Sequence, residues 1–170
     1  MTVELISLNT TTAYNQGTSE GASAYHEWVN TLGQSSNTPI EYDMEATGGT
    51  ITSGCLAAIK SFINGWVYQL HLPPAQKAGI YTSSCADLNN FASISHPPDY
   101  IDGANYSSGK STSDMPCVSS SNWVNQQRHK QYQGPHYEPG YPNVQVDSRC
   151  ANSWVYATYS VQNTSQGCSG

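Results

Sequence analysis

The stretch Pro39-Ile-Glu-Tyr-Asp-Met-Glu45 predicts a β-strand with acidic side chains on one face. Successive side chains of a strand point to opposite faces, so Glu41, Asp43 and Glu45 share one face while Tyr42 belongs to the core on the other. The Cα atoms of Asp43 and Glu45 lie about 7 Å apart at this spacing, close enough for one negative charge to disfavour the other. A carboxyl group crowded in this way can hold a proton and act as a general acid. An isolated D-x-E pattern also occurs where two acids are simply solvated at a strand end.

Strand and helix patterns alternate on both sides of this stretch. The predicted elements, in chain order, are a strand at 3–8, a helix at 19–32, the strand at 39–45, a helix from Thr52 or Ser53 to the prolines at 73 and 74, a strand at 78–82, a short helix at 84–91, and strands at 99–104, 128–133 and 143–147. Residues 134–142 read as a loop, and 155–161 alternate like a further, less clear strand. Alternation of strands with helices predicts an α/β fold with a parallel sheet.

Length and charge limit the function classes. A chain of 170 residues buries one substantial core, so we expect a single domain at 1–162 followed by a flexible tail at 163–170. The net charge of -6, with only six Lys and Arg, cannot supply a basic patch for nucleic acid. The longest apolar stretch, 57–72, is interrupted by polar residues and predicts no membrane insertion.

The five cysteines are scattered and form no CxxC pair, which favours disulfides and an oxidising, extracellular location. One cysteine is then left over. Residues 1–12 lack the features of a signal peptide, so we expect that the signal was removed or that the start is truncated. His129 and His136 have no metal-ligand spacing, and we expect neither a metal nor another cofactor.

Four short segments occur in order and carry a family resemblance: Tyr42-Asp-Met-Glu45, Gly79-Ile-Tyr-Thr-Ser83, Gln131-Tyr-Gln133 and Val146-Asp147. This series resembles the glycoside-hydrolase-like domains of secreted actinobacterial proteins, which are relatives of the glycoside hydrolase family 25 lysozymes. The resemblance implies a TIM-type (β/α) barrel that is incomplete, with about six of the eight strands and without the early catalytic Asp. The missing strands expose sheet edges, which implies a cover, a partner or a homo-oligomer.

The resemblance also implies roles for particular residues. Glu45 would be the general acid, Asp43 would stabilise the substrate, and Asp147 would orient the site. The candidate sugar-binding residues are Tyr81, Asn105, Trp123, Gln131, Tyr132 and Gln133. For the aromatic residues among them, core packing is equally expected.

The resulting expectation is a secreted domain that acts on or binds a cell-wall polysaccharide of the peptidoglycan type. Two alternatives stay open at this point. One is a non-catalytic extracellular glycan-binding domain, and the other is a barrel fragment that folds only with a partner.

Overall fold

The computed structural model describes residues 7–35, 38–45, 51–106, 109–124, 127–137, 140 and 142–151 of the chain. The helices are α1 (Thr10–Tyr25), a π-helix (His26–Thr31), α2 (Ser53–His71) and a 3-10 helix (Cys85–Phe91). The strands are β1 (Ile40–Met44), β2 (Ala78–Thr82), β3 (Tyr100–Ala104), β4 (Arg128–Tyr137) and β5 (Gln145–Ala151). The predicted α/β class is therefore confirmed.

One sheet contains these strands in the order β1-β2-β3-β4-β5, and it is mostly parallel. Strands β3 and β4 pair in parallel, with Ile101 opposite Arg128. Strands β4 and β5 pair antiparallel, with Gln131 opposite Arg149. A parallel crossover needs a dozen or more residues, and the connection at 138–144 is shorter than that. The prediction of an all-parallel sheet is therefore wrong for this last pair, while the TIM-type barrel stays a prediction.

Several boundaries match the sequence and others move. The strands at 40–44, 78–82 and 100–104 and the helix that begins after its cap at Thr52 are confirmed. Helix α1 begins earlier than predicted because the Asn9 side chain accepts a hydrogen bond of 3.0 Å from the Thr12 amide. Strand β4 continues to Tyr137, into the segment predicted as a loop. Residues 3–6 of the predicted first strand lie outside the described residues, and Ser7 and Leu8 are not in a strand. The predicted strand at 155–161 and the predicted tail at 163–170 also lie outside the described residues.

The chain divides into two compact units, and each is considered by itself. The first comprises 1–42, 46–79 and 90–98, and the second comprises 43–45, 80–89 and 99–170. In the first unit, α1 and α2 pack against each other, and the Tyr42 ring lies 5.2 Å from that of Phe62 and 5.5 Å from that of Trp66. Tyr42 is half-buried and packs against these two core residues, so its predicted contact with the core is observed in part.

A disulfide and the buried side chains of Arg128 and Lys130 stabilise the second unit. Cys85 and Cys117 are bonded, with Cα atoms 5.8 Å apart, and Cys150 is also disulfide-bonded. Lys130 is fully buried and donates to the carbonyls of Gly109 and Asp114. Among the cysteines that the structure describes, Cys55 in the first unit is free. Within the ranges given above, no helix has the length and apolarity needed to cross a bilayer.

Candidate functional site

Strands β3, β4 and β5 of the second unit present polar side chains on one face. Asp102 lies opposite His129 in the parallel pair, and Gln131 lies opposite Arg149 in the antiparallel pair. Residues opposite each other, and residues two apart on one strand, share a face of the sheet. Asp102, His129 and Gln131 are buried on it. We call Tyr81, Asp102, His129, Gln131 and Arg149 the polar cluster.

Arg149 is the member of this cluster whose side chain is partly exposed to solvent while contacting a buried member. Its Nη1 donates to Asp102 Oδ2 at 2.8 Å, and its guanidinium carbon lies 5.0 Å from the centroid of the Tyr81 ring. The Asp102 side chain is 0% exposed, whereas 42% of the Arg149 side chain is exposed. A buried carboxylate needs a charged partner, and a bonded guanidinium supplies one. The buried Asp102 carboxylate thus holds Arg149 at the solvent-exposed edge of the cluster, which we call its rim.

The Tyr81 hydroxyl is a fixed hydrogen-bond donor within the polar cluster. Its hydroxyl donates to Gln131 Oε1 at 2.7 Å. Burial, and then the neighbouring Tyr106 and the negative charge of Glu45, raise the pKa of Tyr81 to about 12. The hydroxyl therefore keeps its proton at neutral pH, which suits a positioning role better than proton transfer.

Glu45 and Asp147 lie near the same cluster. Both are exposed, Glu45 directly after β1 and Asp147 on β5. Partial burial, and then the negative charges of Asp147 and Glu45, raise the pKa of Tyr106. Charges influence one another strongly only at short range. The charges of two carboxylates from distant parts of the sequence thus both raise the pKa of one tyrosine.

The other predicted site residues lie in varied surroundings. Asp43 is exposed on β1 and Gln133 is exposed on β4. The Asn105 amide nitrogen lies 3.2 Å from the Cys117 sulfur, so it contacts the disulfide. Trp123 is buried. Tyr132 is half-buried, with the Lys110 ammonium 5.1 Å from its ring centroid.

His129 and Asp102 are donor types that metals prefer, but their surroundings assign them to the hydrogen-bonded cluster. His129 Nδ1 lies 3.9 Å from Asp102 Oδ2, which is the oxygen that Arg149 already binds. Burial, and then the positive charge of Arg149, lower the pKa of His129 to about 4. The imidazole is therefore neutral at physiological pH, and the guanidinium competes with any cation for the carboxylate.

Sequence reasoning missed Asp102, His129, Arg149 and Tyr106 as site residues. Asp102 carried a usable signal, since a single acid within a short apolar strand needs a charged partner once buried. Arg149 carried none, because it lies beyond the predicted end of the last strand at Asp147.

The family model described as "Rv2525c-like, glycoside hydrolase-like domain" matches residues 7–151. The chain belongs to this family. This glycoside hydrolase-like domain covers the strand with Asp43, the exposed Glu45 and Asp147, and the whole polar cluster. The resemblance of the sequence to glycoside-hydrolase-like domains is therefore confirmed. No curated protein and no solved structure matches the chain.

Proposed function

We propose that this domain binds and hydrolyses a polysaccharide, with Glu45 as the general acid. Family membership supports a glycan-related function. The observation that carries the proposal is the placement of Glu45 and Asp147, whose charges both act on Tyr106 beside the polar cluster. The cluster supplies fixed polar groups, and the exposed Tyr106 supplies a surface on which a sugar ring can stack.

The proposed reaction uses the carboxylates in separate roles. Glu45 donates its proton to the glycosidic oxygen while the bond from that oxygen to the anomeric carbon breaks. The sugar carbon gains positive charge, and the nearby carboxylate of Asp43 stabilises it electrostatically. Water then adds to this carbon and returns a proton to Glu45. Asp147 orients the substrate from β5.

We infer a cell-wall polysaccharide of the peptidoglycan type as the substrate, met outside the cell. The disulfides support an oxidising location. The low content of charged residues, 11%, leaves a surface whose neutral hydroxyl and amide groups suit sugars. A TIM-type barrel with the site at the carboxyl ends of its strands is the architecture we propose for the family fold.

The test is release of soluble reducing ends from purified peptidoglycan and from a chitin-like polymer. We expect Glu45→Gln to lower the rate by about 100-fold or more, the scale of a lost general acid. Glu27→Gln is the matched control, because it removes an exposed carboxylate of the π-helix. Unchanged release by Glu45→Gln would exclude the assigned acid.

A second candidate function is glycan binding without hydrolysis. It is favoured by the exposure of Tyr106, which is 57% exposed, together with the exposed Asp43 and Glu45. This function predicts no release by the wild-type protein. It also predicts full retention on insoluble peptidoglycan for the Asp43→Asn, Glu45→Gln double variant, and loss of retention for Tyr106→Ala.

A further inference from the structure

We propose that Arg149 binds a carboxylate group carried by the sugar chain, which makes the ligand a carboxylated glycan rather than a neutral one. This inference rests on the proposed function and adds the chemical class of its substrate. Arg149 would be a specificity-determining residue at the rim of the polar cluster.

The guanidinium of Arg149 is held in place by neighbouring groups of the protein itself. Asp102 is fully buried and accepts from Arg149 Nη1 at 2.8 Å, and the Tyr81 ring lies 5.0 Å from the guanidinium carbon. The Tyr81 ring is fixed in turn through its 2.7 Å hydrogen bond to Gln131. A guanidinium that is already oriented loses little conformational entropy on binding, so more of its interaction energy contributes to affinity.

The other described Lys and Arg side chains of this unit have different surroundings. Arg128 and Lys130 are buried, and their side chains donate to backbone carbonyls. The Lys110 ammonium lies over the Tyr132 ring. Arg149 combines partial exposure with a position on the polar face, near Glu45 and Asp147.

The chemistry of the guanidinium favours a carboxylate over a neutral sugar hydroxyl. A planar guanidinium matches a carboxylate by parallel, charge-assisted hydrogen bonds, which are stronger than bonds to a neutral hydroxyl. The nearby Glu45 and Asp147 repel dense negative charge, which favours separate sugar carboxylates over a phosphate polymer.

The test compares two soluble polymers that differ only in the group of interest: carboxymethyl chitin, and the hydroxyethyl chitin obtained by reducing its carboxyl groups. Affinity electrophoresis at pH 6 and fixed ionic strength gives the dissociation constants. We expect the wild-type protein to bind the carboxymethyl polymer about tenfold more tightly or better, the scale of one charge-assisted contact. Arg149→Met should remove this preference, and Arg149→Lys should keep part of it.

Arg149→Met leaves the buried Asp102 without this guanidinium, so folding needs its own control. The Asp102→Asn, Arg149→Met double variant removes both charges and should melt cooperatively while showing no preference between the polymers. Equal affinity of the wild-type protein for both polymers, or a preference that persists in the double variant, overturns this inference alone. Binding of neither polymer overturns this inference and the proposed function together.

Discussion

At the scale of single residues, Asp102 decides the charge balance of the second unit's polar face. It is fully buried, and its carboxylate is bonded to Arg149 and lies near His129. A buried charge is tolerated when a partner of opposite charge is bonded to it. Burial, and then the positive charge of this guanidinium, lower the pKa of His129, so its imidazole stays neutral.

Acid should therefore destabilise the protein through His129. The pKa of this residue is about 4 in the folded state, lowered by burial first and by Arg149 second, against 6.5 in an unfolded chain. The unfolded state thus binds the proton more readily. The contribution of neutral His129 is complete above pH 6.5 and is lost as the pH falls towards 4, by about 3 kcal/mol at most.

Urea unfolding at pH 7 and at pH 4.5 measures this loss. The His129→Gln variant should lose less stability than the wild-type protein between these two pH values, because its side chain does not titrate. The same substitution at the exposed His26 is the control for replacing a histidine by glutamine. An identical loss in the wild-type protein and in His129→Gln would contradict the assignment.

Tyr81→Phe should lower the free energy of unfolding by about 1–3 kcal/mol, since Gln131 Oε1 is buried and would lose its 2.7 Å donor. Thermal melts of the variant measure the change. Tyr137→Phe removes a hydroxyl from a side chain that is 57% exposed and should change stability little. Equal effects of the two substitutions would show that the buried hydrogen bond contributes nothing.

At the scale of helices and strands, the predictable part of the fold is the part with apolar periodicity. Strands at 78–82 and 100–104 are mostly buried apolar runs, and their bounds follow from the sequence. Helix α1 differs because its buried positions are Ala13, Gly17 and Gly21, which repeat at a helical spacing but are small. A pattern of small residues has almost no hydrophobic signal, so only the second half of the helix was predicted.

Close packing of α1 on α2 explains those small residues and gives a further prediction. A Cβ on Gly65 would lie 2.3 Å from the Tyr14 carbonyl oxygen, so Gly65→Ala forces the helix backbones apart. We expect a loss of about 1–3 kcal/mol or more in unfolding free energy. Gly54→Ala is the control on the same helix, because a Cβ there meets nothing within 4 Å. It should be neutral or stabilising by about 0.5–1 kcal/mol, as measured by thermal melts followed by circular dichroism.

The candidate site was predictable only where its residues are neighbours in sequence. Asp43 and Glu45 follow from alternation along the strand at 40–44, and both are exposed, whereas Glu41 on the same predicted face is half-buried. The pairing of Asp102 with Arg149 joins residues 47 apart, and that of Tyr81 with Gln131 joins residues 50 apart. No local pattern encodes such contacts, since they depend on which strands become neighbours in the sheet.

At the scale of the whole molecule, the Cys85–Cys117 disulfide restricts the unfolded chain. It joins residues 32 apart, for which the loss of chain entropy predicts about 3–4 kcal/mol of stabilisation. The Cys85→Ser, Cys117→Ser double variant should lose this amount in denaturant unfolding. Cys55→Ser, at the free cysteine, should have little effect. A double variant as stable as the wild-type protein would mean that the bond adds nothing to the folded state.

The antiparallel pairing of β4 with β5 also bears on the order in which the molecule folds. The two strands are joined by the short connection at 138–144, so their pairing closes a small loop early, at little entropic cost. The contacts of this hairpin with Asp102 and Tyr81 close much longer loops and form more slowly. We therefore expect Arg149 to reach its native strand pairing before Asp102 joins it, so that the polar cluster is completed late in folding.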